Sequence, residues 1–424
     1  MTVRAHSPQD ELYGPLDIPA YCWYIIDTPE YQRMRYIPQL GCASLIFPGA
    51  THTRFEHCLG CAHLANVFLT HISRAQPEIE LKEEYWQSVI IAALSHDLGH
   101  GPWSHCFESV AHQYSETWDH EEMSCLILRH IIKKYKVPIN NEVIDAACCF
   151  IRGEIYEKYP PWLSRIVSNH DCDIDLDKFD YLARDMNRSL CIARFEYDRL
   201  IYHCHVVENQ LAWKISEIST IERLFFNRND MHQRVYQHRV NQAFRAMVLD
   251  MLEAAEPYLK IQDSLDDPES FCKLDCRLQY LIDLGQCGEE ARKLSERISL
   301  RQIYKCIGEI RLKPDNEEGH SYSQLPSSQL EEDFGSYAGI DPSKIRVVKM
   351  QFRYGLKKDS HPLLYIPFWK PGSDKIVKFS VDDISCIVPA VFAETGMRVF
   401  VTDLDLVKSA KSVFDKWKED KGLY

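Results

Sequence analysis

Residues 83–98 read EEYWQSVIIAALSHDL. Apolar positions recur there at three- and four-residue spacing, which predicts a buried amphipathic helix. The helix runs directly into an adjacent pair, His96 and Asp97. An imidazole nitrogen next to a carboxylate oxygen offers mixed ligands to one site, and such sets suit Fe, Mn, Zn or Mg. Two ligands hold a catalytic metal poorly, so more donors must come from elsewhere in the chain. The following stretch, GHGPWSHCFE (99–108), adds His100, His105 and Glu108, an unusual density of proton carriers for an apolar-edged segment.

The same helical period continues in RFEHCLGCAHLANVFLTH (54–71), EEMSCLILRHIIKKY (121–135) and the long stretch 219–255. A mainly α body is expected over residues 1–312. Residues 313–343, KPDNEEGHSYSQLPSSQLEEDFGSYAGIDPS, are rich in turn formers and acids and are expected as a polar connecting segment. Beyond it, KIRVVKMQFRYG (344–355), PLLYIPFW (362–369) and KIVKFSV (375–381) are expected as strands, and LDLVKSAKSVFDKWKEDK (404–421) as a basic amphipathic helix. A smaller α+β lobe over 344–424 is the expectation.

With 424 residues, 45% hydrophobic and 26% charged, the chain can bury a large core. Its net charge of −13 argues against binding nucleic acid by overall charge, so an anionic ligand needs a local basic site. No apolar leader precedes the body and no run of about 18 apolar residues occurs. An intracellular protein, in nucleus or cytoplasm, with no membrane segment is expected. The 16 cysteines are then read as reduced thiols. Cys58 and Cys61 form a lone CxxC within a helical pattern, read as core thiols, with a redox or metal pair as the alternative.

HTRFEHCLG supplies His57, and DIDLDKFDYLARD (173–185) supplies Asp177. The ordered set His57, His96, Asp97, Asp177 leaves coordination positions for water and substrate. An adjacent His-Asp pair alone is a weak signal. Together with the words FPGATHTRFEHCLG and SHDLGHGPWSH, this set resembles the HD-domain metal phosphohydrolases, and more closely the SAM and HD domain-containing deoxynucleoside triphosphate (dNTP) triphosphohydrolases. No SAM domain is read here. The resemblance implies a mainly α HD-domain fold. It also implies a divalent metal at the HD site, Mg with the nucleotide, and hydrolysis of dNTPs at the α-phosphorus to deoxynucleoside and inorganic triphosphate, controlling dNTP pools.

The resemblance also implies roles residue by residue. Asp177, Tyr181 and Asp185 lie four apart and share a helix face. Tyr181 would pack where a 2′-hydroxyl would sit, and Asp185 would accept from the 3′-hydroxyl. Gln39 and Leu40 would contact the sugar. Arg54, His100, His105, Lys178 and Arg228 would offset triphosphate charge, and His232, Tyr236 and Gln237 would form the other wall of the pocket. His120 would give a proton to the leaving 5′-oxygen. Glu108 stands where the family usually has Asp, one methylene further in reach.

In IIDTPEYQRMR (25–35), Asp27, Gln32 and Arg35 resemble a guanine-reading set for a GTP or dGTP activator, in a family that assembles as homo-oligomers. His6 and Ser7 depart from that pattern. Two other readings remain open on sequence: another HD phosphohydrolase acting on a different nucleotide or nucleic-acid phosphoester, or a non-catalytic nucleotide or nucleic-acid binder. Single-stranded nucleic acid is a further candidate partner, through the basic closing helix.

Overall fold

The computed structural model describes residues 6–192, 196–356, 360–380 and 388–424. The chain divides into two compact units, each discontinuous in sequence. The first comprises Met1–Arg228, Lys260–Leu278 and Pro362–Ser385; the second comprises Asn229–Leu259, Gln279–His361 and Cys386–Tyr424.

The first unit is a helical body. Its main helices are α1 (Arg54–Ala75), α2 (Glu83–Ser95), α3 (His105–Tyr114), α4 (His120–Tyr135), α5 (Asn141–Ile151) and α6 (Leu176–Leu190). Their starts are written locally. Thr53 and Glu56 form a reciprocal capping box on α1, while Asp119, Asn140 and Asp175 cap α4, α5 and α6 through side-chain oxygens. Helix α2 carries Val89, Ile90, Ile91, Ala92, Ala93 and Leu94 at zero exposure. It is apolar all round because α1 packs on one side and α5 on another. A short hairpin pairs Gln9–Asp10 with Gly14–Pro15. Cys204–Val207 pairs with Gln210–Lys214, which takes Phe368–Trp369 as a parallel edge.

In the second unit Ala393–Val401 is the central strand, antiparallel to Lys305–Arg311 on one side and Ile345–Arg353 on the other. Two helices, α7 (Ser327–Ala338) and α8 (Val407–Asp420), pack on this sheet, and Leu330, Phe334, Phe414 and Trp417 share its core with Val399 and Ile310.

Several expectations are corrected here. The segment 313–343 is not irregular: it holds the helix Glu317–Gln324 and α7. Glu317, Glu318 and Glu332 are exposed while Leu330 and Phe334, four apart, face the core. Lys305–Arg311, expected as helical, is a strand. KIVKFSV is not a strand over its described residues, making only an isolated bridge between Val377 and Phe368, and Val381 lies outside them. The long stretch 219–255 is interrupted by a π-helical turn over His232–Tyr236. Among the described residues no helix is long and apolar enough to cross a membrane.

Candidate metal centre and active site

Helix α2 stops at Ser95, so His96 and Asp97 emerge where the backbone leaves helical order. His57 lies one turn into α1 and Asp177 in the first turn of α6. The three segments converge. His57 Nε2 lies 3.2 Å from His96 Nε2, 3.1 Å from Asp177 Oδ1 and 3.5 Å from Asp97 Oδ2. His96 Nε2 lies 3.5 Å from Asp177 Oδ1 and 3.6 Å from Asp97 Oδ1. Adjacent donors around a cation bonded at about 2.0–2.2 Å sit about 3 Å apart, so two imidazoles and two carboxylates at these separations fit a divalent metal.

Both rings are held from behind. Asp180 Oδ2 lies 2.7 Å from His57 Nδ1, and the Ala93 carbonyl lies 2.9 Å from His96 Nδ1. Each partner accepts an Nδ1–H and leaves Nε2 with its lone pair facing the centre. Charge says the same. Burial alone would push the His57 imidazole down, but the Asp177 and Asp180 carboxylates outweigh it and hold it well above the usual histidine range. His96 is likewise pulled down by burial and raised more strongly by Asp97 and Asp177. The carboxylates of this centre therefore call for positive charge between them, which a divalent ion supplies.

The CxxC thiols flank the site without fitting it. Cys61 Sγ is 3.7 Å from His57 Nε2, yet burial pushes this thiol up to about 12, so it stays protonated and is a poor ligand.

Helix α1 packs against α6 so closely that position 60 admits only glycine. A Cβ there would lie 2.0 Å from Asp180 Oδ1 and 2.7 Å from Arg184 Nη2. Gly60→Ala is expected to cost about 1–3 kcal/mol, as overpacking does, and to lower the melting temperature in calorimetry. An unchanged melting temperature would show that the two helices are not held this tightly.

Beside the centre, Glu108 gathers histidines. It lies 2.7 Å from His120 Nδ1, 3.0 Å from His105 Nδ1 and 3.9 Å from His100 Nδ1. His100 and His120 stack at 4.1 Å between ring centroids, and His100 Nε2 is 3.3 Å from Asp97 Oδ1. Their ionisation diverges. Burial lowers His120 but the Glu108 bond more than restores it, leaving it raised. Burial, Arg54 and His120 hold His100 well below the usual range, so His100 enters as a neutral hydrogen-bonding ring, not as the charged member of the expected cradle.

The remaining predicted residues fall in three places. Around the candidate metal centre, Arg54 Nη1 is 2.5 Å from Asp97 Oδ2 and its Nε donates to Ser104 Oγ at 2.9 Å, so it braces Asp97. Lys178 Nζ is 2.9 Å from both Asp173 and Asp175, and Arg228 Nη1 is 3.4 Å from Asp173 Oδ2. Asp185 Oδ1 lies 2.6 Å from His52 Nε2. Gln39 is buried, its backbone N–H donates to the His52 carbonyl at 3.0 Å, and among the described residues its side-chain Oε1 has no hydrogen-bond partner. Leu40 and Tyr181 are half-buried.

In the second unit, His232 and Tyr236 meet edge-on at 5.0 Å, and Gln237 Nε2 donates to the Gln351 carbonyl at 2.6 Å. Near the N-terminus, Arg35 donates to Gln32 Oε1 at 2.7 Å and lies 3.5 Å over the Phe55 ring. Arg35 and Phe55 line a cavity of about 470 Å³ together with Asp10, Glu11 and Arg188. Asp27 is exposed and does not line it.

The sequence reading missed Asp180, His52, Asp173 and Ser104. Asp180 carried a signal, three residues after Asp177 on one helix, and His52 another in HTRFEH. It also missed Arg33, a fully buried guanidinium that donates to the carbonyls of Leu98 at 2.6 Å, His100 at 2.9 Å and Leu274 at 2.7 Å, pinning the turn after the His-Asp pair.

Comparison with known proteins agrees with this geometry. A family profile described as HD domain matches residues 54–185, and one described as HD associated region matches 195–352. The deoxynucleoside triphosphate triphosphohydrolase SAMHD1 homolog of Dictyostelium discoideum is 32% identical over 98% of this chain and 80% of its own length. The SAMHD1 triphosphohydrolases of Gallus gallus and Homo sapiens are 31% and 29% identical, covering 96% and 98% of this chain and 74% and 73% of theirs. The His-Asp centre, the histidine cluster on Glu108 and the similarity along nearly the whole chain together mean that the chain belongs to the SAMHD1 family of HD-domain proteins.

Proposed function

We propose that this protein hydrolyses dNTPs at the α-phosphorus, releasing deoxynucleoside and inorganic triphosphate. The observation that carries the reading is the convergence of His57, His96, Asp97 and Asp177 next to the His120–Glu108 pair. Bound there, a divalent cation (Fe, Mn, Zn or Mg) supplies Lewis-acid polarisation of the phosphate and a more acidic water at neutral pH. Mg accompanies the triphosphate.

The chain's own groups do the rest. Lys178 and Arg228, now balanced by Asp173 and Asp175, exchange these carboxylates for phosphate oxygens. His120, protonated through its bond to Glu108, gives its proton to the 5′-oxygen as the P–O5′ bond breaks. Asp185, oriented by His52, accepts from the 3′-hydroxyl. Gln39, with an unpaired buried Oε1, and Leu40 face the sugar, and Tyr181 occupies the space of a 2′-hydroxyl. Tyr181→Ala is expected to raise turnover of GTP relative to dGTP; an unchanged ratio would remove Tyr181 from sugar selection.

We further assign Asp27, Gln32 and Arg35 to a guanine-nucleotide activator site, with homo-oligomerisation as the response. The stacking of Arg35 on Phe55 beside a cavity of about 470 Å³ supports the part given to Arg35; Asp27 and Gln32 do not line that cavity. The activity belongs inside the cell, in nucleus or cytoplasm, where dNTP pools are kept. Incubating the purified chain with dATP, alone and with GTP, and separating products by ion-exchange chromatography tests the whole reading. Intact triphosphate with deoxyadenosine is expected, and release of monophosphate or pyrophosphate would overturn it.

A further inference from the structure

The carboxylate behind His57 is reached from a part of the chain that lies before the HD region. Tyr13, next to the turn glycine Gly14 in the N-terminal hairpin, donates its hydroxyl to Asp180 Oδ1 at 2.8 Å. The two residues are separated by 167 positions in sequence. Asp180 is fully buried, and each of its oxygens has two partners. Oδ2 takes His57 Nδ1 at 2.7 Å and Arg184 Nε at 3.0 Å; Oδ1 takes Tyr13 Oη and Arg184 Nη2, both at 2.8 Å.

The hairpin is itself tied to this group. Arg184 Nη1 donates to Asp10 Oδ2 at 2.9 Å, and Asp10 Oδ1 accepts from the backbone N–H of Leu12 at 2.8 Å and of Tyr13 at 3.3 Å. Asp10, Arg184, Asp180 and Tyr13 thus form a closed ring of hydrogen bonds that connects to His57. The ring has little room to adjust, since Asp180 is pressed against Gly60 of α1.

We propose that Tyr13 is a positioning residue of the metal centre, acting through Asp180 to fix the orientation and tautomer of His57. With Tyr13 and Arg184 donating, Asp180 remains a pure acceptor toward Nδ1–H, and the Nε2 lone pair stays aimed at the metal. Without the hydroxyl, one of the four bonds that orient the carboxylate is lost and Asp180 gains freedom to turn about its side-chain bonds. The N-terminal hairpin is then a built component of the centre, although the HD region begins at residue 54.

The inference rests on His57 being a metal ligand, and the test separates the two claims. The full chain and its Tyr13→Phe variant are loaded with Mn²⁺, exposed to excess EDTA, and assayed for retained Mn over time. The melting temperatures of both metal-free proteins are measured alongside. Tyr13→Phe keeps the ring and its packing, and is expected to lose Mn about tenfold faster, the lower end of what outer partners of metal ligands cost, with an unchanged metal-free melting temperature. The His57 ring N–H proton resonance is expected to shift in the same variant. Equal Mn loss in the two proteins overturns the proposal, and a lower metal-free melting temperature with equal Mn loss overturns it by assigning Tyr13 a purely structural part. A wild-type chain that takes up no Mn overturns the ligand assignment and this proposal with it.

Discussion

Asp177→Ala is expected to remove bound metal and hydrolysis together, by more than about 100-fold, since loss of an outer partner alone costs about 10–100-fold. Asp177 presents one carboxylate oxygen to both ring nitrogens, at 3.1 and 3.5 Å. Burial would raise this carboxyl, but the bonds to His57 and His96 hold it well below the ordinary aspartate range. The alanine variant therefore leaves two electron-rich rings and Asp97 facing one another without their fourth donor. Folding should survive, because the cap of α6 is Asp175 and not Asp177. Metal content by mass spectrometry and kcat on dATP check this. A variant that keeps its metal but loses turnover would move Asp177 from the metal to the substrate, and one that keeps both would dismantle the proposed centre.

His120→Ala is expected to lower kcat by about 10²–10⁴-fold, the range a general acid contributes, while metal content stays unchanged. The associated pH dependence has a definite sign. The bond to Glu108 raises His120 above the ordinary histidine value against the effect of burial. The proton needed by the leaving 5′-oxygen is thus held to higher pH than an ordinary histidine would hold it, and is lost as pH rises through that raised pKa. Glu108→Gln removes the charge that raises it, so the alkaline limb of kcat should move to lower pH. Superimposable profiles for wild type and Glu108→Gln would show that Glu108 does not set the ionisation of the acid.

What was legible in the sequence was whatever short-range chemistry controls. Helices α1, α2 and α4 announce themselves by apolar period, and the His-Asp pair stands out because few residues at a helix end carry so much ligand chemistry. The strand Ala393–Val401 was not expected, since Gly396 and the polar residues Glu394, Thr395 and Arg398 interrupt its alternation. Gly396 is required there because a Cβ would lie 2.1 Å from the Ile310 carbonyl oxygen. In 313–343 the acids that dominate composition masked the two apolar residues that decide burial. Asp180 and His52 were missed for another reason: their meaning comes from partners 123 and 133 residues away, and no local pattern encodes which distant side chain a carboxylate will meet.

The buried guanidinium of Arg33 has a consequence for how the molecule is made. Two of its three carbonyl partners belong to the turn after the His-Asp pair, while the third, Leu274, lies 241 residues further along the chain than Arg33 itself. At about 5–20 residues per second, the ribosome takes about 12–50 s to deliver that last acceptor after Arg33 has been added. Until then Nη1 lacks the acceptor it has in the complete fold, and sealing the guanidinium from water would leave a charged group with one bond fewer than it finally makes. The turn after the His-Asp pair is therefore expected to reach its final burial only after the segment Lys260–Leu278 has been synthesised.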